Sequence, residues 1–395
     1  MKKRSLVTLM ILMLTVIMFS TLSFSTPAAG SDELKRELLE GIISADKPEL
    51  FDDYGELYLA KAKTQAVIQG MEGKDVTWDT KEWVDILLGI ISDFEGIAYL
   101  SESSVPSDHI NALERTDTIN TSINTLSRYD IAEENGIPMF AEFALKRFFR
   151  SEGKYFEEIS RNEKETKVKI EYEKISSSAY KKGGIDTLRD ASRMEFESRR
   201  DEWVYKRDMR KASGFIDDAS SYLDNAKDPS SGFFGAAFME IIKARDSFEK
   251  AEKIGEEHSD KEPENIYLFS IDAGLEDDLN EIVISEILKE IFKANGYSLS
   301  SYATIAKGKE NEWVIIDEEE KFIIRKEFGT LNIYRNIKAI GSNIDDTYHK
   351  LMLDTLMIVA IYLFFLSLFT VIIWLDFKRW GEELDDTRQG EELIG

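Results

Sequence analysis

Between Thr355 and Leu375 the chain carries 21 consecutive residues without a charged side chain, TLMIVAIYLFFLSLFTVIIWL, and no feature of the sequence restricts the fold more. At about 1.5 Å per helical residue the run spans roughly 31 Å, the thickness of a bilayer's hydrocarbon layer. A soluble core would have to cover such a helix on every face, so the run reads as a membrane helix. Trp374 and Trp380 stand at its C-terminal border, where indole rings suit the headgroup zone, and Lys378 and Arg379 between them favour the cytoplasmic side. Asp354, just before the run, reads as an interface residue reaching water. No GxxxG signals tight helix pairing within the run.

The N-terminal stretch points the same way. Lys2, Lys3 and Arg4 precede an uncharged segment from Ser5 to Phe24, and small residues follow at Ala28 to Gly30, the layout of a secretory signal. The apolar part is about 20 residues, longer than the usual 7 to 15, so an uncleaved anchor is the alternative. With basic residues inside at both ends, residues 31–350 are expected to be extracytoplasmic in either case.

Cysteine is absent, so stability is expected from packing and helix length rather than disulfides, and thiolate metal sites and thiol nucleophiles are excluded. The formal net charge is −25, and it is segregated: residues 31–145 carry −15, residues 146–213 carry +5 and residues 214–350 carry −13. An acidic ectodomain argues against nucleic acid as a partner, because phosphate binding needs a basic surface. The basic middle segment suits its own acidic neighbours or an acidic protein surface.

Helical spacing dominates a chain with six prolines. Leu34, Leu38, Leu39, Ile42 and Ile43 share one helix face, a second helix is expected from Pro48 and a third from Thr80. In the third, Trp83, Ile86, Leu87, Ile90, Ile91 and Phe94 make a wide apolar stripe. A fourth, over 107–127, is more polar and carries the sequon at Asn120. From Gly153 alternating charges with sparse apolar positions predict two long helices, with Gly183 and Gly184 ending the first and Asp186 capping the second.

Ala212, Ile216, Ala219, Leu223 and Ala226 are spaced 4, 3, 4, 3, and the spacing returns at Ala237, Ile241, Ala244, Phe248 and Ala251. Alternating small and large residues at coiled-coil spacing predict a close antiparallel pair joined through Pro229 and Gly232. The alanine, phenylalanine, alanine spacing of the second helix resembles the second helix of a tetratricopeptide repeat. The likeness covers that helix alone, without the first-helix signature or a period of about 34 residues. Residues 275–294 read as one core helix ending at Asn295 and Gly296. For 312–328 a helix running on toward the membrane is favoured over a strand hairpin, with Gly329 and Gly341 as bends.

The expected fold is therefore all-α: a multi-helix extracytoplasmic domain with a long antiparallel helical hairpin and one C-terminal transmembrane helix. Its organisation is a signal segment over 1–30, an N-terminal helical subdomain over 31–145, a charged hairpin over 146–227 and a helical core segment over 228–300. A juxtamembrane segment over 301–350, the membrane helix over 351–377 and a short acidic cytoplasmic tail over 378–395 follow. That tail is too short for a catalytic domain.

No constellation carries recognisable chemistry. His109, His258 and His349 have no partners at ligand spacing, and HExxH, GxSxG and phosphate-binding glycine loops are missing. The acidic pairs Asp52 and Asp53, Asp217 and Asp218, and Asp277 and Asp278 lack the alternating-oxygen spacing of a calcium loop and read as solvated helix faces. No catalytic, cofactor-binding or metal residue is assigned, and no cofactor is expected. The expected function is a structural or protein-interaction module anchored at the cell surface, acting through a protein partner or a second copy of itself. The alternatives are a membrane-tethered hydrolase whose site forms only in the fold and an accessory subunit of a transport or secretion complex.

Overall fold

The computed structural model describes residues 31–71, 76–228, 234–259, 261–281, 283–318 and 320–392. The expected signal segment and the Pro229 to Gly232 connection lie outside them. Among the described residues there are thirteen α-helices and a five-stranded antiparallel sheet. The all-α expectation is thus corrected: the helical majority is there, but the C-terminal third is built on a sheet. The chain divides into two compact units, one running to Ile159 and including Tyr172–Phe196, the other made of Ser160–Glu171 and Glu197 onward.

The first unit holds α1 (Ser31–Ser44), α2 (Pro48–Asp53), α3 (Gly55–Gly70), α4 (Trp78–Ser101), α5 (Pro106–Leu126), α6 (Asp130–Glu134) and nearly all of α7 (Ile137–Asn162). Helix α4 is capped by Thr77, whose N–H donates to Thr80 Oγ1 at 3.4 Å. Its predicted stripe is the centre of the core, with Trp83, Leu87, Ile90, Ile91 and Phe94 all buried. Leu34, Leu38 and Ile42 of α1, Leu57 and Ile68 of α3, Ile119 and Ile123 of α5 and Phe148 of α7 close around it. Two further pieces belong to this unit: the C-terminal part of α8 (Thr166–Lys182) and the start of α9 (Leu188–Lys227).

The predicted glycine stop falls between α8 and α9, where Gly183 N–H donates to Ala179 O at 2.8 Å and Gly184 has φ +97°. Ser177 Oγ donates to Ala191 O at 2.9 Å and Lys181 pairs with Glu195 at 2.6 Å, so the two helices double back on each other. The first of the two expected long helices is itself interrupted: α7 ends at Asn162 and α8 starts at Thr166. The Glu163 carboxylate accepts from the N–H groups of Lys164 and Glu165 at 2.9 and 3.0 Å, a local bonding pattern that competes with helix continuation. Asp186 lies in a 3₁₀ turn and pairs with Arg150 at 2.9 Å instead of capping α9.

The second unit contains the rest of α8 and α9, then α10 (Phe234–His258), β1 (Asn265–Asp272), α11 (Glu276–Leu279), α12 (Glu286–Ala294), β2 (Thr304–Lys307), β3 (Glu312–Asp317), β4 (Glu320–Glu327), β5 (Thr330–Asn336) and α13 (Lys338–Glu392). The sheet order is β1-β5-β4-β3-β2, antiparallel throughout. The β4–β5 hairpin closes on Phe328 and Gly329 with φ 50° and 75°, the two positive values that a two-residue type I′ turn demands. Gly329 therefore marks a hairpin, and β3 and β4 stand where the start of a helix was expected. Residues 275–294 are likewise two short helices, separated before Ser285, whose hydroxyl accepts from Leu288 N–H and caps α12.

Both sheet faces are covered. Ile323 and Tyr334, paired across β4 and β5, share a core with Ala212, Ile216, Ala219, Leu223 and Ala226 of α9, Ile241, Ala244 and Ala251 of α10, and Ile340 and Ile344 of α13. Phe322, Ile324, Leu331 and Ile333 face the other way, into a core with Leu288 and Phe292 of α12 and Trp313 and Ile315 of β3.

Candidate functional site

Helix α13 is the one helix among the described residues long and apolar enough to cross a membrane. Its first turns are packed: Ile340 and Ile344 are buried and Tyr348 and Leu351 close the edge of the core. Gly341 is a close approach rather than a bend, because a Cβ there would come within 2.6 Å of the Phe248 ring. Tyr348 is held from two sides, by Phe238 with ring centroids 5.9 Å apart and by the Arg245 guanidinium 5.4 Å from its ring. From Leu353 on, the same helix turns apolar and bare, with Leu356, Leu363, Phe364 and Phe369 all more than half exposed. The helix is unbroken through this change, so the apolar segment extends from the folded unit without a linker.

A second cluster sits over the β1 and β5 end of the sheet. Tyr205 of α9, Tyr267 of β1 and Tyr334 of β5 form a ring group with centroids 5.5 and 5.8 Å apart. Lys167 places its Nζ 4.6 Å above the Tyr267 ring and donates to Asn332 Oδ1 at 2.5 Å. Ser270 Oγ donates to the same oxygen at 2.7 Å, while Asn332 Nδ2 and Tyr334 OH donate to Glu327 Oε2 at 3.1 and 3.0 Å. Burial pushes the Tyr205 and Tyr334 phenols well above their ordinary range, and Glu327 adds to the effect. Burial also raises Glu165. Nearby, His258 Nδ1 lies 3.0 Å from Thr166 Oγ1 and its Nε2 3.4 Å from Asp208, whose carboxyl Arg207 holds below the usual range.

The first unit has its own buried polar pair. His109 and Glu152 side chains are 3% and 2% exposed, with Nδ1 and Oε2 2.9 Å apart. The other ring nitrogen, Nε2, lies 2.7 Å from the Ser103 carbonyl, which only accepts, so Nε2 carries a proton. The contact on Nδ1 then needs one more proton, shared between imidazole and carboxyl. The Tyr155 ring stacks on His109 at 3.5 Å and 9°. Burial raises Glu152 against the lowering effect of His109.

The histidines singled out in the sequence thus have separate surroundings: His109 is paired with Glu152, His258 with Thr166 and Asp208, and His349 lies exposed beside Tyr348. Of the acidic pairs, Asp52, Asp53 and Asp277 are exposed, as solvated faces should be. Asp217 and Asp218 are exposed too, and Asp217 is also one of two carboxylates on the buried Arg335 guanidinium, at 2.6 Å, with Glu320 as the other. Among the described residues no group of three His, Cys, Asp or Glu can hold a metal ion. In the His109 pair and the tyrosine cluster the polar contacts described run between groups of the same cluster. Sequence reading missed both. Glu152 lies 43 positions from His109, and Lys167 lies 165 from Asn332.

No family model matches the chain, and no curated protein or solved structure is significantly similar to it.

Proposed function

We propose that this chain is a single-pass membrane protein whose two folded units stand outside the cytoplasm and act as a structural or protein-interaction module. The observation that carries the reading is the continuity of α13, packed into the second unit up to Leu351 and apolar and exposed from Leu353. A bare apolar surface of this length is stable only in lipid or against another apolar partner. Lys378 and Arg379 beyond the run, with Lys2, Lys3 and Arg4 at the other end, support a cytoplasmic C-terminus.

Protease added to intact cells is expected to degrade the folded units and spare a tag placed after Gly395. Digestion of the tag with the membrane still sealed overturns the orientation. Purification in mild detergent with mass spectrometry then separates a foreign membrane partner from self-association.

A further inference from the structure

We propose that α9 carries a docking face for a second copy of this chain, its exposed arginines and Trp203 seating in an acidic groove of the neighbour's first unit. It rests on the reading of the chain as an interaction module and names the partner and both surfaces. Between Arg199 and Lys211, roughly 18 Å of helix, every exposed side chain of α9 is arginine, lysine or tryptophan. The carboxylates of the same stretch, Asp201, Glu202 and Asp208, are half-buried and pair with Arg200, Lys206 and Arg207 at 2.7, 2.7 and 2.8 Å. Six cations thus stand against three carboxylates, and the surplus faces solvent in a chain whose net charge is −25. At the middle of the face Trp203 is 63% exposed, with the Arg207 guanidinium 5.1 Å from its ring. Tryptophan and arginine are enriched at the centres of protein interfaces, from which lysine and glutamate are depleted.

The complementary surface lies in the first unit. A groove of about 330 Å³ is lined by the turn before α2, by α2 and by the C-terminal part of α4. It holds five exposed carboxylates, Asp46, Glu49, Asp53, Glu95 and Glu102, against Lys47 alone, and Tyr99, 77% exposed, is the one aromatic ring of the lining. Arginine suits such a groove twice, because its fork bonds a carboxylate through two parallel N–H donors and its planar face lies against a tyrosine ring. Phosphate of a nucleic acid or an anionic lipid could meet the α9 face but leaves the groove unexplained. A second copy accounts for both surfaces, and copies anchored by α13 in one membrane present them to each other at high local concentration. Face and groove are different surfaces, so the contact is head-to-tail and leaves each copy one of them for a further neighbour.

The test follows the mass of full-length protein in mild detergent by light scattering at low and high salt, with two variants. Trp203→Ala with Arg207→Ala and Arg210→Ala strips the α9 face, and Glu49→Lys with Glu102→Lys reverses the groove; all five side chains are exposed. The wild type is expected to exceed two protomers at low salt and to fall to one as salt screens the contact. Each variant alone should run as a protomer, while an equimolar mixture, in which one intact face meets one intact groove, should stop at a dimer. That mixed dimer also shows that both variants are folded. Variants that associate as the wild type does, or a mixture that stays protomeric while both keep the native circular dichroism, overturn the proposal. So does a wild type at protomer mass throughout. If that protomer retains a foreign protein through purification, the second copy fails as the occupant and the interaction reading stands; if it retains none, both fail.

Discussion

The first unit and the helical layer of the second cover their apolar surface with different kinds of side chain. In the first, helices are held apart by bulk, with Trp83, Phe94, Phe148 and Phe156 at 0 to 1% exposure. In the helical layer of the second, contact is made by small residues, Ala212, Ala219 and Ala226 on α9 and Ala244 and Ala251 on α10, laid over the sheet. The bulky core has atoms to lose and the alanine-lined one has no room to gain any. The first should therefore fail by truncation and the second by enlargement.

The largest expected effect tests the first half of that contrast. Phe94→Ala removes a fully buried ring from the centre of α4 and should cost about 3 to 5 kcal/mol. Followed by thermal unfolding with hydrogen exchange on both units, the loss should appear in the first unit. A loss of under about 1 kcal/mol would show that the helices around α4 collapse to fill the gap and that bulk does not hold them apart.

Enlargement is the next step down. Ala244→Leu places three further heavy atoms against a fully buried site and should cost about 1 to 3 kcal/mol in the second unit. An unchanged melting point would mean that the helical layer over the sheet is loosely packed, and the contrast between the units would collapse.

The smallest effect sharpens the comparison through charge, because the first unit also buries a titrating pair. Burial raises Glu152 in the folded state above its unfolded value. Its contribution is therefore fully present below the ordinary carboxylate range and is lost as pH rises through the raised native value. In Glu152→Gln the amide donates to Nδ1 while Nε2–H still reaches Ser103, so no buried group is left unpaired. The melting point of the wild-type first unit, measured relative to this variant from acid to neutral pH, should fall as pH rises. A flat difference would show that the pair does not titrate in that window. The second unit, which does not contain the pair, should show no such difference.

Much of the first unit was legible because a helix writes its burial into neighbours three and four positions apart. Five of the six residues of the expected α4 stripe are buried, with Ile86 half-buried, and the Gly183 and Gly184 stop lies where the chain reverses. The alternating alanine and large apolar positions of α9 and α10 were legible for the same reason. The β4 strand was not. Phe322, Ile323 and Ile324 are all buried because helices cover one face of the sheet and α12 the other, so the two-residue alternation that reveals a half-exposed strand is erased. A short continuous apolar run suits a buried helix equally well. The surviving clue was the glycine at 329, read as a bend and used as a hairpin turn.

By itself the sequence determined the apolar run at Thr355 to Leu375, the helical majority and which faces of those helices are buried. Each is decided by side chains within one element, at spacings of a few residues. Only the tertiary structure decided that a five-stranded sheet underlies α9 and α10, that Glu152 closes on His109 and that Lys167 reaches Asn332 across 165 positions. Those outcomes depend on which distant segments meet, and sequence periodicity, being local, does not encode the meeting.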